Sequence, residues 1–94
     1  MKTNYVLIDL ENVTPESIHV LSADHFQVRV FVGENQKRIS TEVVTAVQRL
    51  GDKAQYVQIC GHGPNALDFH IAYYIGRLSL ETPGAFFHII SGDK

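Results

Sequence analysis

The chain has 94 residues, 45% of them hydrophobic, and a formal net charge of −2. These values fit one small globular domain spanning residues 1–94 and exclude a disordered segment. They also argue against a strongly basic nucleic-acid binder, whose phosphate contacts need a visible Lys/Arg excess. An enzyme that meets nucleic acid locally through a metal is compatible with them. Cys60 is the single cysteine, so no intrachain disulfide can form and a reducing cytoplasm is the simplest compartment. One Lys precedes a strand-like run that soon meets Asp9, too short a pattern for a signal peptide. No apolar run approaches the length of a membrane span.

In chain order, Asn4 to Asp9 reads as a strand, its Val6-Leu7-Ile8 run suggesting burial on both faces. Thr14 suits an N-cap, Pro15 the first helical position and Glu16 the positive end of the dipole of a short helix reaching Leu21 or Ser22. Ile18 and Leu21 should face inward. Phe26 to Val32 alternates apolar and polar, apart from Phe31, and is expected as a second, less buried strand. Gly33 to Gln36 is a loop. Ser40 caps a helix from Thr41 to about Leu50, with Val43, Val44, Val47 and Leu50 as its apolar stripe and Gly51 at C′.

Ala54 to Ile59 is a third strand, broken by Cys60-Gly61-His62-Gly63-Pro64. Asn65 to about Leu80 is the longest helix, apolar nearly all round and so expected to be covered on most sides. Thr82-Pro83-Gly84 ends it, and Ala85 to Ile90 is a fourth strand running into Ser91-Gly92-Asp93-Lys94. Strands alternating with helices imply parallel βαβ units, hence an α/β fold with a Rossmann-like, doubly wound parallel sheet.

Three acids fall in related places. Asp9 ends the first strand, Asp93 follows the fourth, and Asp68 lies in the first turn of the long helix. If the first and fourth strands are neighbours across a switch point, Asp9 and Asp93 converge on one crevice, and Asp68 joins them if its helix packs beside it. Clustered carboxylates repel one another unless a cation sits among them, and hard oxygen ligands select Mg²⁺ or Mn²⁺. Such a site positions a phosphodiester and activates water for in-line attack. Glu11 and Asn12 are within reach of the same crevice.

Each acid also has a plain structural role open to it. Asp9 could cap or turn the chain, Asp68 suits the helix dipole, and Asp93 suits a turn. His62 after Cys60 matches no zinc spacing, and His70 and His88 sit on apolar elements as core histidines with one satisfied hydrogen bond. No nucleophile elbow, Walker loop or dinucleotide fingerprint is present.

Val6-Leu7-Ile8-Asp9-Leu10-Glu11-Asn12 resembles the first motif of PIN-like nuclease domains, particularly the NYN type. Asn65-Ala66-Leu67-Asp68 resembles the middle motif, and Ile89-Ile90-Ser91-Gly92-Asp93 the third. Phe31-Val32-Gly33-Glu34-Asn35-Gln36 is similar to a bacterial PIN-like subgroup. The resemblance implies a sheet ordered 3-2-1-4-5 and metal-dependent endonuclease activity, usually on RNA. It implies Asp9, Asp68 and Asp93 as catalytic metal ligands, with Asn12, Glu11 and Asn65 as polar neighbours or substrate contacts. The family continues with a helix and a fifth strand, so the sheet is expected to be truncated after its fourth strand. The apolar edge this leaves invites a homodimer, or a protein partner such as an antitoxin. A non-catalytic module for RNA or protein is the rival reading. A receiver-type domain is a weaker one, since the acid pair and late Lys it needs are missing.

Overall fold

The computed structural model describes residues 3–21, 25–34, 38–61 and 66–90, without the Asn12 side chain. Strand β1 (Asn4–Asp9) occupies the interior of a parallel sheet. Tyr5, Val6, Leu7 and Ile8 are all buried, as an unbroken apolar run requires when helices cover both faces. On one side β1 pairs with β2 (Phe26–Val32), on the other with β4 (Phe86–Ile90). Strand β3 (Ala54–Gln58) lies beyond β2, giving the order β3-β2-β1-β4. The register sets Ile8 opposite Val30 and Ile90, and Asp9 opposite Phe31. This is the expected α/β sheet, with its first four strands in the expected order.

Helices α1 (Pro15–His19) and α2 (Thr41–Arg49) cover one face. Ile18 and Leu21, with Val43, Ala46, Val47 and Leu50, close over Val6, Ile8, Val28, Val30 and Val32. The caps are those the sequence advertises. Thr14 Oγ1 accepts from the Ser17 amide at 3.2 Å while Ser17 Oγ accepts from the Thr14 amide at 3.1 Å, a closed capping box. Ser40 Oγ accepts from the Val43 amide at 3.2 Å. Gly51, at φ +62°, turns the chain after α2. Helix α3 (Ala66–Glu81) covers the other face, where Ile71 and Leu78 meet Tyr5, Leu7, Phe31 and Ile59. Tyr5 stacks on Phe87 with centroids 5.5 Å apart, and its hydroxyl lies 3.0 Å from Thr82 Oγ1 just past α3.

Two expectations need correction, those for helix α3 and for His88. Strand β2 is less buried than β1, as expected: Phe26, Gln27 and Arg29 are half-buried, while Val28, Val30, Phe31 and Val32 are buried. Helix α3 is covered on the sheet side only, and Phe69, Tyr73 and Leu80 face outward. Strand β4 is the apolar edge that was expected, and it leaves Phe86 and Ile89 exposed. His88 is exposed on that edge, 2.9 Å from Asn4 Oδ1, and is no core residue. Two short 3₁₀ turns, Leu10–Asn12 and Gly51–Lys53, carry no periodic signal and were not expected. Among the described residues no helix is long and apolar enough to cross a membrane.

Phe31 on β2 is fully buried under α3, whereas Leu80 is 85% exposed. Phe31→Ala is expected to cost about 3–5 kcal/mol of unfolding free energy. Leu80→Ala should stay within about 0.5 kcal/mol. Urea denaturation of both variants checks the contrast.

Candidate functional site at the carboxyl edge

In a parallel sheet every strand delivers its carboxyl end to one edge, so residues distant in sequence meet there. Asp9 closes β1 at this edge and is half-buried. Strand alternation puts it on the face of Tyr5 and Leu7, the α3 side. Its register partner Phe31 packs edge-on against Tyr74 of α3, with centroids 5.4 Å apart. Asp9 Oδ1 accepts the Glu11 amide at 3.2 Å and so caps the 3₁₀ turn that follows. The capping role weighed for Asp9 is therefore real. Glu11 is exposed on that turn.

Asp68 sits in the first turn of α3 and is exposed. Because α3 follows β3, its N-terminal end starts from the same edge that Asp9 occupies. Asp93 and Asn65 lie outside the described residues, as do the Asn12 side chain, Asn35, Gln36 and His62. β4 ends its described course at Ile90, in register with Ile8, the residue before Asp9.

The same edge is knitted by contacts that no motif announced. Beyond the end of β3, the Ile59 amide still donates to Val32 O at 2.9 Å. Gln58 Nε2 donates to Val32 O and Gly33 O at 3.3 and 3.2 Å. Glu34, just past β2, accepts the Gly61 amide on Oε1 at 3.0 Å. From α3, His70 Nε2 lies 3.4 Å from the Cys60 amide and 3.2 Å from the Cys60 carbonyl. The chain leaving β3 is thus held from two sides at Cys60 and Gly61. His70 binds the Cys60 backbone rather than its thiol, so the pair does not form a soft metal site. Glu34 was visible only as an acid soon after an apolar strand; its partner, 27 residues away, was not.

Among the described residues no group of three or more His, Cys, Asp or Glu side chains is gathered to hold a metal. In kind, the described carboxylates of Asp9 and Asp68 are hard oxygen donors suited to Mg²⁺ or Mn²⁺ rather than to a soft ion.

The Glu34 clasp gives a direct expectation. Glu34→Ala should speed hydrogen exchange at the Gly61 amide while lowering global stability by no more than about 1 kcal/mol, because the bond is exposed to water. Amide exchange followed by NMR, alongside denaturant unfolding, checks both halves.

The model of the PIN domain family matches residues 3–94. No curated protein and no solved structure matches the chain.

Proposed function

The chain belongs to the PIN domain family, and from that premise we propose that it is a metal-dependent endoribonuclease domain of the NYN type. PIN domains are generally nucleases that use divalent metals and commonly bind RNA. The observation that carries the reading for this chain is the carboxyl edge. Asp9 ends the central strand there, and Asp68 opens the helix that starts from the same edge on the same face. Asp93, from the Ser-Gly-Asp run after β4, is proposed as the third acid.

In this reading Asp9, Asp68 and Asp93 hold a hard divalent ion, Mg²⁺ or Mn²⁺. When bound, that ion polarises a phosphodiester and lowers the pKa of a coordinated water. The chain's own residues do the rest. The Glu11 amide donates to Asp9 Oδ1 and orients the carboxylate. The Glu34–Gly61 and His70–Cys60 contacts hold the chain where it leaves β3 and tie it to α3 through His70. Asn12 and Asn65 are proposed to hydrogen-bond a neighbouring carboxylate or a phosphate, with Glu11 beside them.

The exposed β4 edge carries a second part of the proposal. Phe86 and Ile89 on opposite faces of an edge strand favour pairing with another chain, most simply a second copy. Light scattering at micromolar concentration should give a dimer mass; a strictly monomeric protein would remove this part.

Losing one metal-binding acid should remove at least about 3 kcal/mol of transition-state stabilisation, or about a hundredfold in rate. Asp9→Asn and Asp68→Asn are each expected to lower Mn²⁺-dependent RNA cleavage by at least that factor while unfolding as wild type does. Equal cleavage by Asp9→Asn would rule the mechanism out. RNA binding without Mn²⁺ binding or cleavage would support the non-catalytic module instead.

A further inference from the structure

A groove of about 560 Å³ runs along the flank of α3 beside β3. Half-buried Val57 and Tyr74 form its floor, and Phe69 and Tyr73 stand over it. Gln58 and His70 lie where the groove meets the carboxyl edge, and Arg77 lies two turns down the helix. The groove therefore reaches Cys60, where the chain leaves β3.

The two rings are held out to water. Phe69 is 71% exposed and Tyr73 62% exposed, far more than packing on the sheet would leave. Four residues apart on a helix, they are neighbours about 6 Å apart along its axis. Tyr73 is braced: it meets Tyr74 edge-on at 5.6 Å, and Tyr74 in turn meets buried Phe31 edge-on at 5.4 Å. A rigid, exposed ring seated on the core is a platform rather than a loose surface side chain. Arg77 sits 5.7 Å from the Tyr74 centroid, with Nε on Glu81 Oε2 at 3.1 Å. That contact leaves the guanidinium four further N–H donors in kind.

Open rings, one fixed cation, an amide and an imidazole form the chemistry that recognises unpaired nucleotides. Every base has a face that stacks on an aromatic ring, and a cation meets the backbone between. Among the described lining residues the aromatic and polar groups predominate, with Val57 the one aliphatic side chain, half-buried. A duplex hides its base faces and depends on many phosphate contacts, which a chain of net charge −2 does not offer.

We propose that this groove binds single-stranded RNA, with bases stacked on Phe69 and Tyr73 and a phosphate on Arg77, and leads the strand to the carboxyl edge. The proposal rests on the ribonuclease reading for the identity of the polymer, and it adds the strand state and the residues that select it. Stacking dominates, so binding depends weakly on salt: one phosphate contact on a single strand gives a log–log slope of about −0.7.

The test is fluorescence anisotropy of a labelled octa-adenylate with the full chain in EDTA, so that binding is read without cleavage. Phe69→Ala and Tyr73→Ala are each expected to weaken binding about 5- to 150-fold, the range for loss of one base–ring stack. Tyr73→Phe keeps the ring and should bind within about twofold of wild type. Arg77→Gln should flatten the salt slope toward zero. Three results would overturn the proposal: wild type that does not bind octa-adenylate, alanine variants that bind as wild type does, or an RNA duplex of equal length that competes equally. Alanine variants that change the protein's mass while binding RNA unchanged would make the face a self-association surface and also overturn it. Wild-type cleavage of RNA with Mn²⁺ reads the ribonuclease proposal separately, since neither ring belongs to the acid site.

Discussion

The structure depends on β1 being enclosed. It has a parallel neighbour on each side and a helix layer on each face, so nothing between Tyr5 and Ile8 can carry an unpartnered polar group. The first position at which a carboxylate reaches water is the strand's last one, and Asp9 stands there. The strand that is hardest to rearrange therefore fixes the acid proposed to matter most. Its neighbours inherit the same logic. β2 releases Gly33 and Glu34 at this edge, β3 releases Cys60 and Gly61, and all of them return as contacts across it.

Around that edge the molecule is asymmetric. The α1/α2 face is closed by a continuous aliphatic cluster from Val6 to Leu50. The α3 face is aromatic, with Tyr5, Phe31, Tyr74 and Phe87 in contact as rings, and its outer side is open. If the acids perform hydrolysis, the open aromatic flank supplies what a nearly neutral chain lacks, a way to hold RNA that does not rely on net charge. Membership of the PIN domain family and this placement point the same way.

Much of the fold was legible in the sequence because its signals are local. The Val6-Leu7-Ile8 run, the Thr14 and Ser40 caps and the Val43/Val47/Leu50 stripe each depend on residues a few positions apart. What depends on neighbours in space was not legible. The all-round apolar pattern of α3 suggested enclosure, yet Phe69, Tyr73 and Leu80 are open. Asp9 and Asp68 could be read as acids at strand and helix ends. The Glu34–Gly61 and His70–Cys60 contacts that frame them join loops and helices with no shared pattern.

The central claim is that the carboxylate at the end of β1 belongs to a divalent-metal site. Titration of Mn²⁺ into the protein, followed by the loss of the free-ion EPR signal, tests it without any assumption about substrate. The account predicts saturable binding by the wild type, weakened about tenfold or more in Asp9→Asn, equivalent to about 1.4 kcal/mol. Wild-type protein that leaves the free Mn²⁺ signal unchanged, or Asp9→Asn that binds as tightly as wild type, would contradict it.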